Sequence, residues 1–174
     1  MLSAVFIINM VFFNGQLNRL GIWPRETHGL AGIALSPLLH LNINHLLNNL
    51  VGLGIFALLT MSHGLGYFWR ASAMIILLGG FGVWLLARPN IHIGASGWIF
   101  GLWSLNIVNA WYNRSFKTFV IALVVIIVWG GMILGVLPSQ PGISFEAHLF
   151  GALAGVAFAA QHSRLSSPRR KRRR

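Results

Sequence analysis

Cysteine is absent from the 174 residues, which removes disulfides, thiolate metal sites and cysteine nucleophiles together. Acid is nearly absent as well, with Glu26 and Glu146 the 2 carboxylates of the whole chain. Charged residues make up 9% and apolar residues 56%, whereas soluble domains are typically about 25% charged. Lipid is therefore the expected solvent, and the mean hydropathy of +0.71 agrees. No long polar stretch interrupts the chain before its C-terminus, so one membrane domain over 1–162 and no separate soluble domain is expected. With no Asp, no Cys and no H-E-x-x-H pattern, the histidines near one end of the chain's apolar runs make a poor metal site, and no cofactor is expected.

Base is what the chain has. The net charge is +11, and Arg164 with the run from Arg169 to Arg174 holds seven of the 13 basic residues. Residues 163–174 read as a cytoplasmic basic tail that attracts anionic lipid, at about 1 kcal/mol per basic side chain near the surface. That distribution argues against a nucleic-acid partner.

A spanning helix needs about 20 mostly apolar residues. The stretches 1–18, 39–61, 69–87, 95–111, 119–137 and 147–162 qualify, separated by turn-forming segments such as Ser62-His63-Gly64 and Arg88-Pro89-Asn90. The expected fold is all-α, a six-span bundle. Placing both termini in the cytoplasm puts ten basic residues inside and Arg19, Arg25 and Arg88 outside, which satisfies the positive-inside rule. The fourth and sixth spans then start on the outer side.

Polar residues are costly in a span and face a protein interior or a water-filled cavity. They concentrate at three outer helix ends: His40, Asn42, Asn44, His45, Asn48 and Asn49; Gly94-Ala95-Ser96-Gly97; and Glu146-Ala147-His148. His45 and Asn49 are four apart and share a helix face, offering two N–H donors in one direction. Ser96 opens a helix, where backbone N–H groups lack intrahelical partners and favour an anion. Gly97 with Gly101, and Gly151 with Gly155, allow close approach of the fourth and sixth spans and would bring Ser96 and His148 to one depth.

Peptide-bond cleavage needs a nucleophile, a base and oxyanion donors. Ser96, His148, and His45 with Asn49 can fill those roles. Glu146 lies roughly 200° around the helix from His148, and Glu26 lies in the first loop, so a Ser–His dyad is expected rather than a triad. Phe100 shares the face of Ser96 and is placed to stack on the His148 ring. Each residue also has a plainer reading. Ser96 could be a helix cap, His148 a packing histidine, and His45 and Asn49 a helix bridge. His92 reads as a loop residue, and His63 and His162 as inner-surface residues.

Gly94-x-Ser96-Gly97, His45-x-x-x-Asn49, and Ala147-His148 followed by Gly151 and Gly155 together resemble the rhomboid family of intramembrane serine proteases. Gly21-Ile22-Trp23-Pro24-Arg25 resembles the first-loop sequence of many bacterial members, although the loop is short. The resemblance implies a site sunk below the outer surface and open to water, cleaving single-span substrates where their helix can unwind. It implies Ser96 and His148 as the dyad, His45 and Asn49 as oxyanion helpers, His40 as the additional upstream histidine, and Gly94 and Gly97 as motif glycines. The family also contains inactive relatives, so the presence of both dyad residues is the deciding feature. Two alternatives remain: a non-catalytic holder of membrane proteins, and a small channel or transporter. The second expects polar residues through the full depth, whereas inner stretches such as Leu123 to Val128 and Leu153 to Ala160 are apolar. Substrate access is expected beside the fifth span, whose outer end carries Gly130-Gly131 and the cap Pro138 to Pro141.

Overall fold

The structure is a computed structural model that describes residues 1–138 and 142–166. Six long helices follow the apolar runs: α1 (Leu2–Phe13), α2 (Ile43–Met61), α3 (Leu65–Leu86), α4 (Ser96–Asn113), α5 (Phe116–Val136) and α6 (Phe145–Ser166). Among the described residues there is no strand, only an isolated bridge between Ile22 and His92. The protein is an all-helical membrane protein.

Three of these helices, α2, α3 and α5, are long and apolar enough to cross a bilayer by themselves. α1 is apolar but has 12 residues. α4 and α6 carry polar side chains that lower their hydropathy, because they are held inside the bundle rather than against lipid. Every residue of α4 from Ile99 to Asn106 is buried, while α5 buries only Thr118, Ala122 and Val125 between Phe116 and Trp129. The expected six-span count is thus not delivered by length and composition alone.

Local chemistry sets the helix ends. The second apolar run begins at residue 39, but α2 starts at Ile43 because the Asn42 side chain caps it, accepting from the His45 backbone N–H at 2.9 Å. Ser115 and Thr118 form a reciprocal capping box at the start of α5. α6 runs to Ser166, four residues beyond the expected membrane domain; the rest of the basic tail, residues 167–174, lies outside the described residues, as do Ser139 to Pro141 of the expected cap.

α4 is the central helix and packs most extensively on α6. Their glycine seams meet. A methyl group on Gly151 would collide with the Gly97 carbonyl, and one on Gly155 with the Gly101 carbonyl. A methyl on Gly97 would lie 3.0 Å from the Ala147 carbonyl oxygen. Backbone therefore lies on backbone along this pair, as small residues allow in lipid. α3 contains one π-type turn at Ile75–Gly79, where Gly79 approaches the Gly151 backbone.

The first loop folds onto the end of this core at which α4 and α6 begin, the outer end, opposite the inner end at which they finish. Arg25 Nη1 donates to the carbonyls of Ala87 at 2.8 Å and Leu85 at 3.3 Å, capping the C-terminal end of α3 with positive charge. Ile22 and His92 exchange two backbone hydrogen bonds of 3.0 Å, and Gly21 lies so close to the His92 carbonyl that no side chain fits there. The Gly21-to-Arg25 segment is thus a clasp that holds the loop leading into Ser96.

Candidate active site

A cavity of about 800 Å³ opens between α2, α4, α6 and the outer end of α5. Its lining includes His45, Asn49, Ser96, Phe100 and His148, together with Asn42, Asn48, Trp129 and Met132. The three polar clusters, up to about a hundred residues apart in sequence, therefore share one space.

Ser96 is the first residue of α4 and is half-buried. Gly94, two residues earlier, has φ +110, a conformation L side chains rarely adopt. Its missing Cβ would sit 2.6 Å from His45 Nε2 and 3.4 Å from Asn49 Nδ2. The α2 side chains therefore lie directly against the turn that delivers Ser96. Gly94 N–H also donates to the Ser36 carbonyl at 2.9 Å, which fixes that turn to the first loop. Asn49 is buried and its Nδ2 finds no hydrogen-bond partner among the described residues. His40 is fully buried, sits edge-on to His45 with ring centroids 5.1 Å apart, and also leaves its Nε2 unpartnered.

His148 lies one turn into α6, buried, with its ring flat on Phe100: the centroids are 4.0 Å apart and the planes 4° from parallel. Its Nδ1 is 2.8 Å from the Gly135 carbonyl. A carbonyl only accepts, so Nδ1 carries the proton, and Nε2 of the neutral ring keeps its lone pair. A backbone carbonyl and an aromatic face thus fix the orientation of the ring. No carboxylate lines the cavity: Glu26 stays exposed on the first loop, and Glu146 turns the other way.

What Glu146 does was not legible in the sequence. Buried at 5% exposure, it takes a two-pronged ion pair from Arg88, with Nε–Oε1 2.5 Å and Nη2–Oε2 3.1 Å. The carboxylate holds the Arg88 guanidinium above its usual value, through the hydrogen bond first. Arg88 also lies over the Phe145 ring at 4.8 Å. His92 is not an idle loop residue. It is 4% exposed, with Nδ1 2.6 Å from Ser144 Oγ and Nε2 3.1 Å from the Arg88 carbonyl. Burial pushes its ring below the ordinary histidine value. The nearest sequence signal was the bare presence of ionisable groups in loops flanking the two site helices.

Comparison with known proteins gives the family. The family model for the rhomboid domain matches residues 27–164, most of the chain. The chain belongs to the rhomboid family. Among curated relatives, an uncharacterized protein of Mycobacterium tuberculosis is 42% identical over 182 residues, covering 98% of this chain and 75% of that protein. An uncharacterized protein of Mycobacterium leprae is 36% identical, over 91% of this chain and 65% of its own length. RHOMBOID-like protein 4 of Arabidopsis thaliana is 35% identical over 124 residues, 67% of this chain and 30% of that protein. The rhomboid match takes in Ser96, His148, His45 and Asn49, as well as Arg88, His92, Ser144 and Glu146.

Elsewhere a second polar group lies at the inner end of the bundle. Asn106 Nδ2 donates to Thr60 Oγ1 at 2.9 Å and to the Leu102 carbonyl at 2.8 Å, and Thr60 Oγ1 donates to the Phe56 carbonyl at 2.7 Å. Tyr67 donates to Asn109, which also meets His63 and Asn113. His63 and His162 are half-buried around Tyr67 rather than simply superficial, and His162 stacks on Phe158.

Proposed function

We propose that this rhomboid-family chain is an intramembrane serine endopeptidase, with Ser96 as nucleophile and His148 as its general base. The carrying observation is the His148 ring. With Nδ1 spent on the Gly135 carbonyl and one face on Phe100, its basic Nε2 is left for the cavity that Ser96 also lines. In acylation, Ser96 Oγ attacks the scissile carbonyl carbon while His148 Nε2 takes its proton, then returns it to the leaving amine. The tetrahedral oxyanion lies beside the start of α4, within reach of Asn49 Nδ2 and the His45 ring. The unpartnered state of buried Asn49 supports this role, since a donor that the fold itself leaves unused is available to charge that appears only during reaction. His40 supports the His45 ring edge-on, and Gly94 and Gly97 give the room that these contacts need.

On this reading the six helices are six spans of a cell membrane, with both termini cytoplasmic and the cavity opening to the outer side. The ten-to-three distribution of basic residues favours that orientation. The partner is a membrane protein whose span unwinds near its outer end, and anionic lipid gathers at the basic C-terminal residues. Substrate enters between α2 and α5. A groove of about 610 Å³ separates these helices on the inner side and shares Ile55 and Trp129 with the cavity. Trp129, which lines both, sits edge-on to Phe56 of the cavity wall with ring centroids 5.6 Å apart. A disulfide engineered between α2 and α5 should stop cleavage; undiminished activity would exclude this route.

The deciding experiment is cleavage of a tagged single-span reporter carrying helix-breaking residues in its outer half. The native protein should cut and Ser96→Ala should not. If neither cuts several such reporters while both bind them, the chain is instead a non-catalytic holder of membrane proteins.

A further inference from the structure

We infer that Arg88, His92, Ser144 and Glu146 form a double clamp that positions the first turn of α6, and with it His148, against Ser96. The inference rests on the proposed chemistry, but its geometric basis is separate. The glycine seam fixes the spacing of α4 and α6 from Gly97 inward. The seam starts at Ala147, so Phe145, Glu146 and the loop before them, which set the entry of the turn that carries His148, lie ahead of it and need their own restraint.

Two links provide it, and both run to the loop that ends at Ser96. The first is the Arg88–Glu146 pair. Arg88 supplies Nε, Nη2 and its own backbone N–H, at 3.3 Å, to one carboxylate, and Nη2 also reaches the Ile143 carbonyl at 3.4 Å. A carboxylate at 5% exposure needs such compensation, because without its partner it is an uncompensated buried charge. The second link is a chain of hydrogen bonds with one consistent direction. His92 Nε2 faces a carbonyl and must donate, so Nδ1 accepts from the Ser144 hydroxyl. The same Ser144 oxygen accepts from the Ala147 N–H at 3.2 Å, capping α6 one residue before His148. His92 is itself fixed by its two backbone bonds to Ile22 in the first loop.

These are positioning residues, since none touches the reacting atoms. Displacing His148 by about an ångström costs on the order of a hundredfold in rate without weakening substrate binding. Glu146→Gln and Arg88→Gln should therefore lower kcat by roughly ten- to a hundredfold, with KM changed by less than about twofold. Arg88→Lys, which keeps the charge but not the fork, should recover part of the loss, and His92→Phe should resemble Glu146→Gln on a smaller scale.

The test measures kcat and KM on the reporter for these variants, beside hydrogen exchange at the amides of Ala147 and His148 in the same preparations. Faster exchange there with a fall confined to kcat is the expected result. Unchanged kcat in Glu146→Gln, or a loss of activity that matches a loss of folded protein, would overturn the clamp. If the native protein cuts nothing, the protease reading has failed. Exchange alone then decides the clamp, and unchanged exchange in Glu146→Gln sinks it.

Discussion

The outer and inner ends of the bundle both bury polar side chains, and they differ in what those side chains have left over. At the inner end Thr60, Asn106 and Ser104 are bonded to one another or to helix carbonyls, and Tyr67 closes onto Asn109. At the outer end Asn49 Nδ2 is buried without a partner in the lining of a cavity of about 800 Å³, and His40 Nε2 is unpartnered one layer back, its ring edge-on to the lining residue His45. Deeper in α4, Trp103 Nε1 is a third unpartnered polar atom, but it faces core rather than the cavity lining. In lipid a satisfied polar group is glue between helices. An unsatisfied one beside open space is a group waiting for a ligand. The residue types are the same at both ends; the residual valence tells them apart.

That contrast is open to direct attack. The largest effect should come from the outer end: His148→Asn should reduce kcat on the reporter by about 10⁴- to 10⁶-fold, with little change in the midpoint of unfolding. Asn49→Ala should follow with roughly a hundredfold loss in kcat, the usual cost of one oxyanion donor. An unfolding titration on the same samples should show it as stable as native. At the inner end Asn106→Leu should reverse the pattern, leaving kcat intact while costing about 1 kcal/mol of stability. Loss of activity without loss of stability in Asn106→Leu would break the comparison.

The smallest effect concerns pH. Burial holds the folded His92 ring below its ordinary value of 6.5, so the unfolded chain takes up that proton first. Stability from this group is therefore present above about 6.5 and declines as pH falls towards the lowered value. The Arg88 backbone carbonyl and the Glu146 charge ease protonation of the ring, and the Arg88 guanidinium opposes it. His92→Gln should make the acid-induced drop in melting temperature shallower than in the native protein.

Much of this was written in single helices. The apolar runs located all six, the four-residue spacing of His45 and Asn49 and of Ser96 and Phe100 gave their shared faces, and the glycine pairs marked the seam. Boundaries shifted where capping decided them, as at Asn42 and Ser115. The inner polar network was overlooked because Thr60, Asn106 and Asn109 sit singly within apolar runs, and helix content masks them. The clamp escaped for another reason. Arg88 and Glu146 are 58 residues apart and His92 and Ser144 are 52 apart, and no spacing rule reaches across two loops. The Gly135 carbonyl that orients His148 has no side chain to read at all.

The glycine contact between α4 and α6 divides the molecule mechanically. Where two backbones touch, there are no side-chain rotamers to relax, so that pair resists shear and keeps its spacing as the surroundings fluctuate. α2 and α5 face each other instead across an apolar groove, joined by the Phe56–Trp129 rings and, at the inner end, by Lys117 bonding to the Ser62 carbonyl. Compliance is thus concentrated on one flank and stiffness on the other. On the proposed reading the backbones that carry Ser96 and His148 keep their spacing while α5 yields to a guest; α5 also carries the Gly135 carbonyl, so its return restores the orientation of the His148 ring.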